Sequence, residues 1–281
     1  MAVDLPALIA DLAAESAALD SILAVLPPDA WQQLTPAAGW NVADQVSHLA
    51  YFDQAALLAI ADPDEFRRHA ELLMAGPADL PDQIAAEHRN RRGTDLLDWS
   101  RSARQGLLAG FAGVDPARRL PWYGPDMSPA SSVTARLMET WAHGQDICDA
   151  LGAERPPTGR LRHIAHLGVR TMAFSFAVHG LPVPADQVRV ELLGPDGGLW
   201  AWGPPDAASR VSGTALDFCL VVTQRRNPAD LELDVRGGTA RDWIAIAQAF
   251  AGPPGTGRAP LRAVAGQILP RTTTPGASGS A

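Results

Sequence analysis

Glu139 and His143 stand four residues apart in the stretch Met138-Glu139-Thr140-Trp141-Ala142-His143. On a helix that spacing puts a carboxylate and an imidazole on one face. Such a pair can grip one cation from one side, although equal spacings also arise by chance on solvated helices. His48, in Val46-Ser47-His48-Leu49, supplies a third donor on a different segment. A lone His between apolar neighbours reads as a core residue. Three donors on two helices, however, match the way bundles build metal sites from inward-facing side chains. Three protein ligands leave a coordination position open for water or substrate, which is the mark of a catalytic rather than a structural site. Two His and one carboxylate suit zinc and also non-haem Fe(II).

The elements that must carry these residues are legible as helices. Apolar residues recur at helical spacing over 4–26, until Pro27-Pro28 stops them. A second helix begins after Gly39-Trp40, with Asn41 as its N-cap and Asp44 in its first turn, and runs to about Ala61. A short amphipathic helix fits 64–75, and a third long helix lies somewhere in 82–112. Residues 114–129, rich in Pro and Gly, read as a loop. A fourth helix runs from Ser131 or Ser132 to Leu151, with Gly152 past its end. Four such helices can form a bundle. A fifth helical stretch covers 160–179, and then the pattern changes. Strands at 188–193 and 199–202 flank Pro195-Asp196-Gly197-Gly198, a hairpin signal. A further strand at 210–213, a helix at 214–224, a strand at 231–235 and a helix at 240–251 complete a small α+β unit. The fold class is mainly α with α+β. The expected division is a metal-binding bundle over 1–155, a linking helix and α+β domain over 156–262, and a disordered tail over 263–281.

Composition bounds the partners. The chain has 281 residues, 47% of them hydrophobic and 19% charged, so a packed interior is within reach and wholesale disorder is not expected. All 23 basic residues are Arg, a composition that fits a GC-rich genome. The net charge of -8 argues against nucleic acid as a partner, since phosphate binding needs a basic face. No apolar run is long enough to span a bilayer. The first residues carry Asp4 and Asp11 and no basic stretch, unlike a signal peptide. Cys148 and Cys219 form no CxxC or disulfide framework, which fits a reducing cytoplasm.

Two segments resemble a known family. Gly39-Trp40-Asn41-Val42-Ala43-Asp44-Gln45-Val46-Ser47-His48-Leu49 is similar to the first motif of the DinB-like superfamily, in its mycothiol-dependent maleylpyruvate isomerase branch. Pro121-Trp122 and Arg136-Leu137-Met138-Glu139-Thr140-Trp141-Ala142-His143-Gly144-Gln145-Asp146 resemble the second motif. The resemblance covers most of 5–255 and is nearest to an actinobacterial metal-binding subfamily. It implies a DinB-like four-helix bundle followed by a sterol-carrier-like α+β domain. It also implies a divalent metal, usually zinc, on His48, Glu139 and His143, and mycothiol as co-substrate. Asp217-Phe218-Cys219-Leu220-Val221-Val222-Thr223-Gln224-Arg225-Arg226 matches an Arg-bearing helix end in that family.

The expected function is therefore a zinc-dependent, thiol-using transferase or isomerase acting on a small electrophilic metabolite. A non-catalytic metal-dependent binding protein and an Fe(II)-dependent oxidative enzyme are the alternatives. Arg136, three residues before Glu139, could meet a substrate carboxylate or thiolate, or instead pair with an acidic side chain. Arg225 or Arg226 could close over the site. Asp44 and Asp146, each within a turn of a ligand His, could orient the imidazoles, although for Asp44 the charge of a helix first turn is the preferred reading. His163 and His166 read as interface or surface residues, and His69 and His88 as exposed. Trp40 and Trp122 are candidates for the pocket wall, and both Cys read as buried thiols.

Overall fold

The computed structural model describes residues 4–75 and 80–261. The expected tail over 263–281 lies outside them.

Ten helices and a small sheet follow one another among the described residues. Helix α1 (Leu5–Leu23) opens on Asp4, whose carboxylate accepts from the Ala7 N–H at 3.1 Å. It buries Leu5, Leu8, Leu12, Leu19 and Leu23 along one stripe. Helix α2 (Val42–Ala61) starts with a capping box: the Asn41 side chain accepts from the Asp44 N–H, and the Asp44 carboxylate accepts from the Asn41 N–H, each at 2.9 Å. This helix is buried nearly all round, because α3 (Pro63–Met74), α4 (Leu80–His88), α5 (Gly93–Gly113) and α6 (Pro129–Leu151) all pack on it. Its alanines Ala43, Ala50, Ala56 and Ala59 keep its surface low, so neighbours approach closely. On α5 a side chain at Gly110 would come within 2.9 Å of Leu57. With α1 against α5 and α6, the four long helices close into a bundle.

The third long helix expected somewhere in 82–112 is α5, and the short α4 precedes it. The chain breaks at residues 89–92 and restarts at Gly93, where a Cβ would sit 2.3 Å from the Trp31 ring. Only a glycine lets that indole lie on the helix start. Helix α6 begins at Pro129, two or three residues earlier than expected, capped by the Ser128 hydroxyl, which accepts from the Ser131 N–H at 3.1 Å. It ends at Gly152 in the left-handed conformation. The fifth stretch is likewise broken, into α7 (Leu161–Arg170) and α8 (Met172–Val178). Thr171 sits between them, its hydroxyl bonding the Leu167 and Gly168 carbonyls at 3.1 Å.

The sheet has the order β2-β1-β3-β4. Strands β1 (Val188–Leu193) and β2 (Leu199–Trp202) form the antiparallel hairpin that the Pro-Asp-Gly-Gly turn foretold. Strand β3 (Ser209–Thr214) runs parallel to β1, and β4 (Asp234–Arg236) antiparallel to β3. Val188, Val190, Leu192 and Val211 face inward, with α9 (Ala215–Val222) and α10 (Gly238–Ile246) packed against the sheet. The other face is polar, with Glu191 paired to Arg189 and Arg210. One hydrophobic cluster runs without a break from Leu137 and Trp141 of the bundle, through Leu161 and Ile164 of α7, to Phe218 and Val222 of α9. The α+β layer therefore rests on the helix that carries Glu139 and His143. No described helix is long and apolar enough to cross a membrane.

Candidate metal centre

Helices α2 and α6 bring His48, Glu139 and His143 together, with one potential ligand atom from each lying within 4.8 Å of the others. Glu139 Oε2 is 3.4 Å from His48 Nε2 and 3.1 Å from His143 Nε2. Ligands at about 2 Å from a tetrahedral cation stand roughly 3.3 Å apart, so these separations suit a shared ion. The cluster is partly accessible: Glu139 keeps 22% of its side-chain surface and His143 12%. Trp40 lies against both imidazoles, its ring centroid 5.5 Å from His48 and 6.0 Å from His143, and Phe52 closes on His48 at 4.6 Å.

A hydrogen-bond chain fixes which nitrogen of His143 is free. The Thr35 hydroxyl donates to the Trp40 carbonyl at 2.9 Å, so it accepts from Gln45 Nε2 at 2.8 Å. The Gln45 amide is thereby oriented with its oxygen toward His143 Nδ1, at 2.5 Å. Nδ1 carries the proton, and in the neutral ring the lone pair of Nε2 points at Glu139. Burial, followed by the proximity of His48, pushes the His143 pKa down to about 3. Burial lowers that of His48 as well. Burial works to raise the Glu139 carboxyl, but its contacts with the two histidines outweigh this and hold it well below the usual range. His48 Nε2, His143 Nε2 and the ionised Glu139 carboxylate thus converge where a single cation could accept a donor from each. His48 Nδ1, across the ring from the Nε2 that faces Glu139, is buried and has no hydrogen-bond partner among the described residues. The donor set fits a divalent metal.

Beneath the cluster lies a buried ion triad. Asp53, 1% exposed, accepts from Arg136 Nε at 2.9 Å and Arg104 Nε at 2.6 Å. Arg136 also donates to the Leu49 carbonyl at 3.3 Å, and Arg104 to the Thr140 hydroxyl at 2.8 Å. Of the two pairings open to Arg136 in the sequence, the structure displays the acidic one, with Asp53. Arg225 reaches Asp146 at 3.0 Å, the Ala142 carbonyl at 3.1 Å and the Thr223 carbonyl at 2.6 Å. Arg226 instead forms a two-pronged pair with Asp149 at 2.5 and 2.6 Å.

Neither Asp44 nor Asp146 touches an imidazole. Asp44 caps α2 and pairs with Arg89 at 2.8 Å, and Asp146 is taken up by arginines. His88 is buried against Trp99 at 4.7 Å rather than exposed. His163 pairs with Asp11 at 2.7 Å, and His166 accepts from Trp202 at 3.1 Å. Trp122 stacks on Phe66 and reaches the cluster only through Phe52, at 6.2 Å.

Comparison with known proteins gives this arrangement a lineage. Residues 12–148 match the family model of the mycothiol maleylpyruvate isomerase N-terminal domain, a span that holds all three clustered residues. The uncharacterized proteins Rv0036c and MT0041 of two Mycobacterium tuberculosis strains are each 51% identical over 251 residues, 89% of this chain and 97% of theirs. The chain belongs to the mycothiol-dependent maleylpyruvate isomerase branch of the DinB-like superfamily. A crystal structure of the mycothiol-dependent maleylpyruvate isomerase shares its fold, with a TM-score of 0.56 at 14% identity over 79% of this chain and 90% of that one. A histidine-to-alanine mutant of that enzyme gives 0.57 at 13%, over 90% and 97%. Residues 184–234, spanning the sheet and α9, match a second model described as wyosine base formation.

Within this family member, Gln45 is the site residue that sequence reasoning passed over. It lies in the first motif, three residues before His48, and orients His143 from across the bundle. Gln45→Leu is expected to weaken metal binding by about 10–100-fold, the usual cost of removing the partner that fixes a ligand's tautomer. Competition with a chromophoric zinc chelator measures it, and an unchanged affinity would deny Gln45 that role.

Proposed function

We propose that the protein is a zinc-dependent enzyme that uses a low-molecular-weight thiol, mycothiol, to transfer to or isomerise a small electrophilic metabolite. His48, Glu139 and His143 are its metal ligands. The observation that carries this reading is the convergence of one donor atom each from His48, Glu139 and His143 within 4.8 Å of one another, with Glu139 Oε2 3.4 and 3.1 Å from the two imidazole nitrogens. The family membership supplies the thiol. When bound, the metal stabilises a thiol sulfur as thiolate at neutral pH.

The chain's own residues do the rest. Gln45 holds His143 in the tautomer that presents Nε2. Trp40 and Phe52 limit water around the two imidazoles. Arg136, tied to Asp53, contributes positive charge from beneath, and Arg225 does so from the side of α9; both are near enough to act on His48 electrostatically. An anionic group is favoured between them. Neither protein thiol competes for the role of nucleophile. Cys148 and Cys219 are buried, and burial raises the pKa of both. An external thiol is then required for sulfur chemistry.

Calorimetry of the zinc-loaded protein with mycothiol tests the reading. The expected result is binding at about millimolar affinity or better, with roughly one proton released per thiol at pH 7, as deprotonation of a ligand sulfur requires. Absence of binding, or binding without proton release, would contradict it.

A further inference from the structure

Asp146 is buried, 1% exposed, and is shared by two guanidinium groups. Arg225 approaches one oxygen at 3.0 Å, and Arg258 donates to the other at 2.6 Å. Arg258 comes from the segment that follows α10, which is tied back onto the fold at several points. The Arg258 carbonyl accepts from Asn227 Nδ2 at 2.7 Å, Gly255 N–H donates to Gln248 at 3.1 Å, and Leu261 N–H donates to the Asp230 carboxylate at 3.0 Å. The segment therefore delivers its arginine onto α6 one turn beyond His143.

The charges of this group do not cancel. Asp146 carries one negative charge and the two arginines carry two positive ones, while Arg226 is separately neutralised by Asp149. With Asp146 and Arg225 alone, the pair would be neutral and Arg225 would offer little to an anion nearby. With Arg258 on the opposite oxygen, one positive charge is left over. Arg225 is also held still: the Ala142 and Thr223 carbonyls accept from its Nε and Nη1, Asp146 Oδ2 lies 3.0 Å from Nε as a charge contact without a hydrogen bond, and no acceptor meets its Nη2 among the described residues. The Ala142 carbonyl that anchors it belongs to the residue just before His143.

We propose that Arg258 is a positioning residue that balances Asp146, so that the charge of Arg225 remains available to an anion bound at the His48–Glu139–His143 centre. The inference rests on the metal-site reading above but not on the identity of the thiol. It assigns a part in anion binding to a segment outside both motifs, and it names the class of ligand that profits: a small anion, whether thiolate or substrate carboxylate.

Azide is the probe, because it is an anion that binds open metal positions without any thiol chemistry. Its affinity for the Co(II)-loaded full-length protein is read from the visible spectrum, after metal content is shown to be equal in each variant. Arg258→Gln is expected to weaken azide about tenfold, a loss of the size that one partly screened charge makes nearby. Arg258→Lys should restore most of it. Asp146→Asn in the Arg258→Gln background should also restore it, because the removed positive and negative charges then cancel. A merely structural role for Arg258 would not be rescued in this way. Unchanged azide affinity in Arg258→Gln, a loss that Asp146→Asn does not repair, or no azide binding in any form overturns the proposal. If the azide pattern holds while mycothiol fails to bind, only the thiol reading falls.

Discussion

Asp53→Ala is expected to destabilise the metal-free protein by about 3–5 kcal/mol, the cost of removing one partner from a buried ion pair. Among the described residues Asp53 is the one carboxylate that meets both Arg104 and Arg136, and all three side chains are buried. The triad already carries one uncompensated positive charge. Without the carboxylate, two guanidiniums would confront one another inside the bundle, with Arg104 Nη1 already lacking a partner. Nearby apolar groups cannot compensate, because the cost is desolvation of a charge rather than lost contact area. Urea titration followed by circular dichroism measures the change. A loss below about 1 kcal/mol would mean that water reaches the triad and that its energetics are those of a surface pair.

Glu139→Ala and His143→Ala are each expected to lower zinc affinity by well over a hundredfold, more than the effect of losing an outer partner. Each removes a donor from a set of three, and Glu139 is the only anion in the set. The helical content should not change, since α2 and α6 are held by apolar packing around Val46, Leu137 and Ile147 rather than by the cluster. Zinc stoichiometry and affinity by chelator competition, with circular dichroism as the control for folding, separate these effects. Variants that bind zinc as the parent does would place the ion elsewhere.

The parts of the site that could be read in the sequence are those that follow a local rule. The spacing of Glu139 and His143 is helical geometry, and the Asn41–Asp44 capping box fixes the start and therefore the phase of the helix that carries His48. Given those two helices, the meeting of three ligands on facing sides is a short step. The hairpin at 195–198 is equally local. What could not be read depends on residues far apart. Gln45 acts on His143, ninety-eight positions away, and is itself oriented by Thr35 in the preceding turn. A glutamine inside a helix carries no signal of that kind.

Arg136 and Asp146 show the same limit from the other direction. Their proximity to ligands along the helix suggested contact with substrate or imidazole, but a helix has several faces. Asp146 faces α9 and the segment after α10, where Arg225 and Arg258 await it. Arg136 faces Asp53 on α2. The broken helices are similar: Gly93 reads as a weak helix former, and only the Trp31 ring seated on it shows why the helix restarts there. The continuous hydrophobic cluster between bundle and sheet also escapes local patterning, since each apolar stripe is visible but not its partner.

The central claim is that a thiol sulfur joins a metal held by two imidazoles and one carboxylate. Zinc X-ray absorption of the metal-loaded protein, before and after addition of mycothiol, addresses it directly. The account predicts two imidazole nitrogens and light oxygen donors at about 2 Å before addition, and one sulfur at about 2.3 Å afterwards, with the imidazole signal retained. A spectrum without imidazole scattering, or one in which mycothiol brings no sulfur to the zinc, would contradict it.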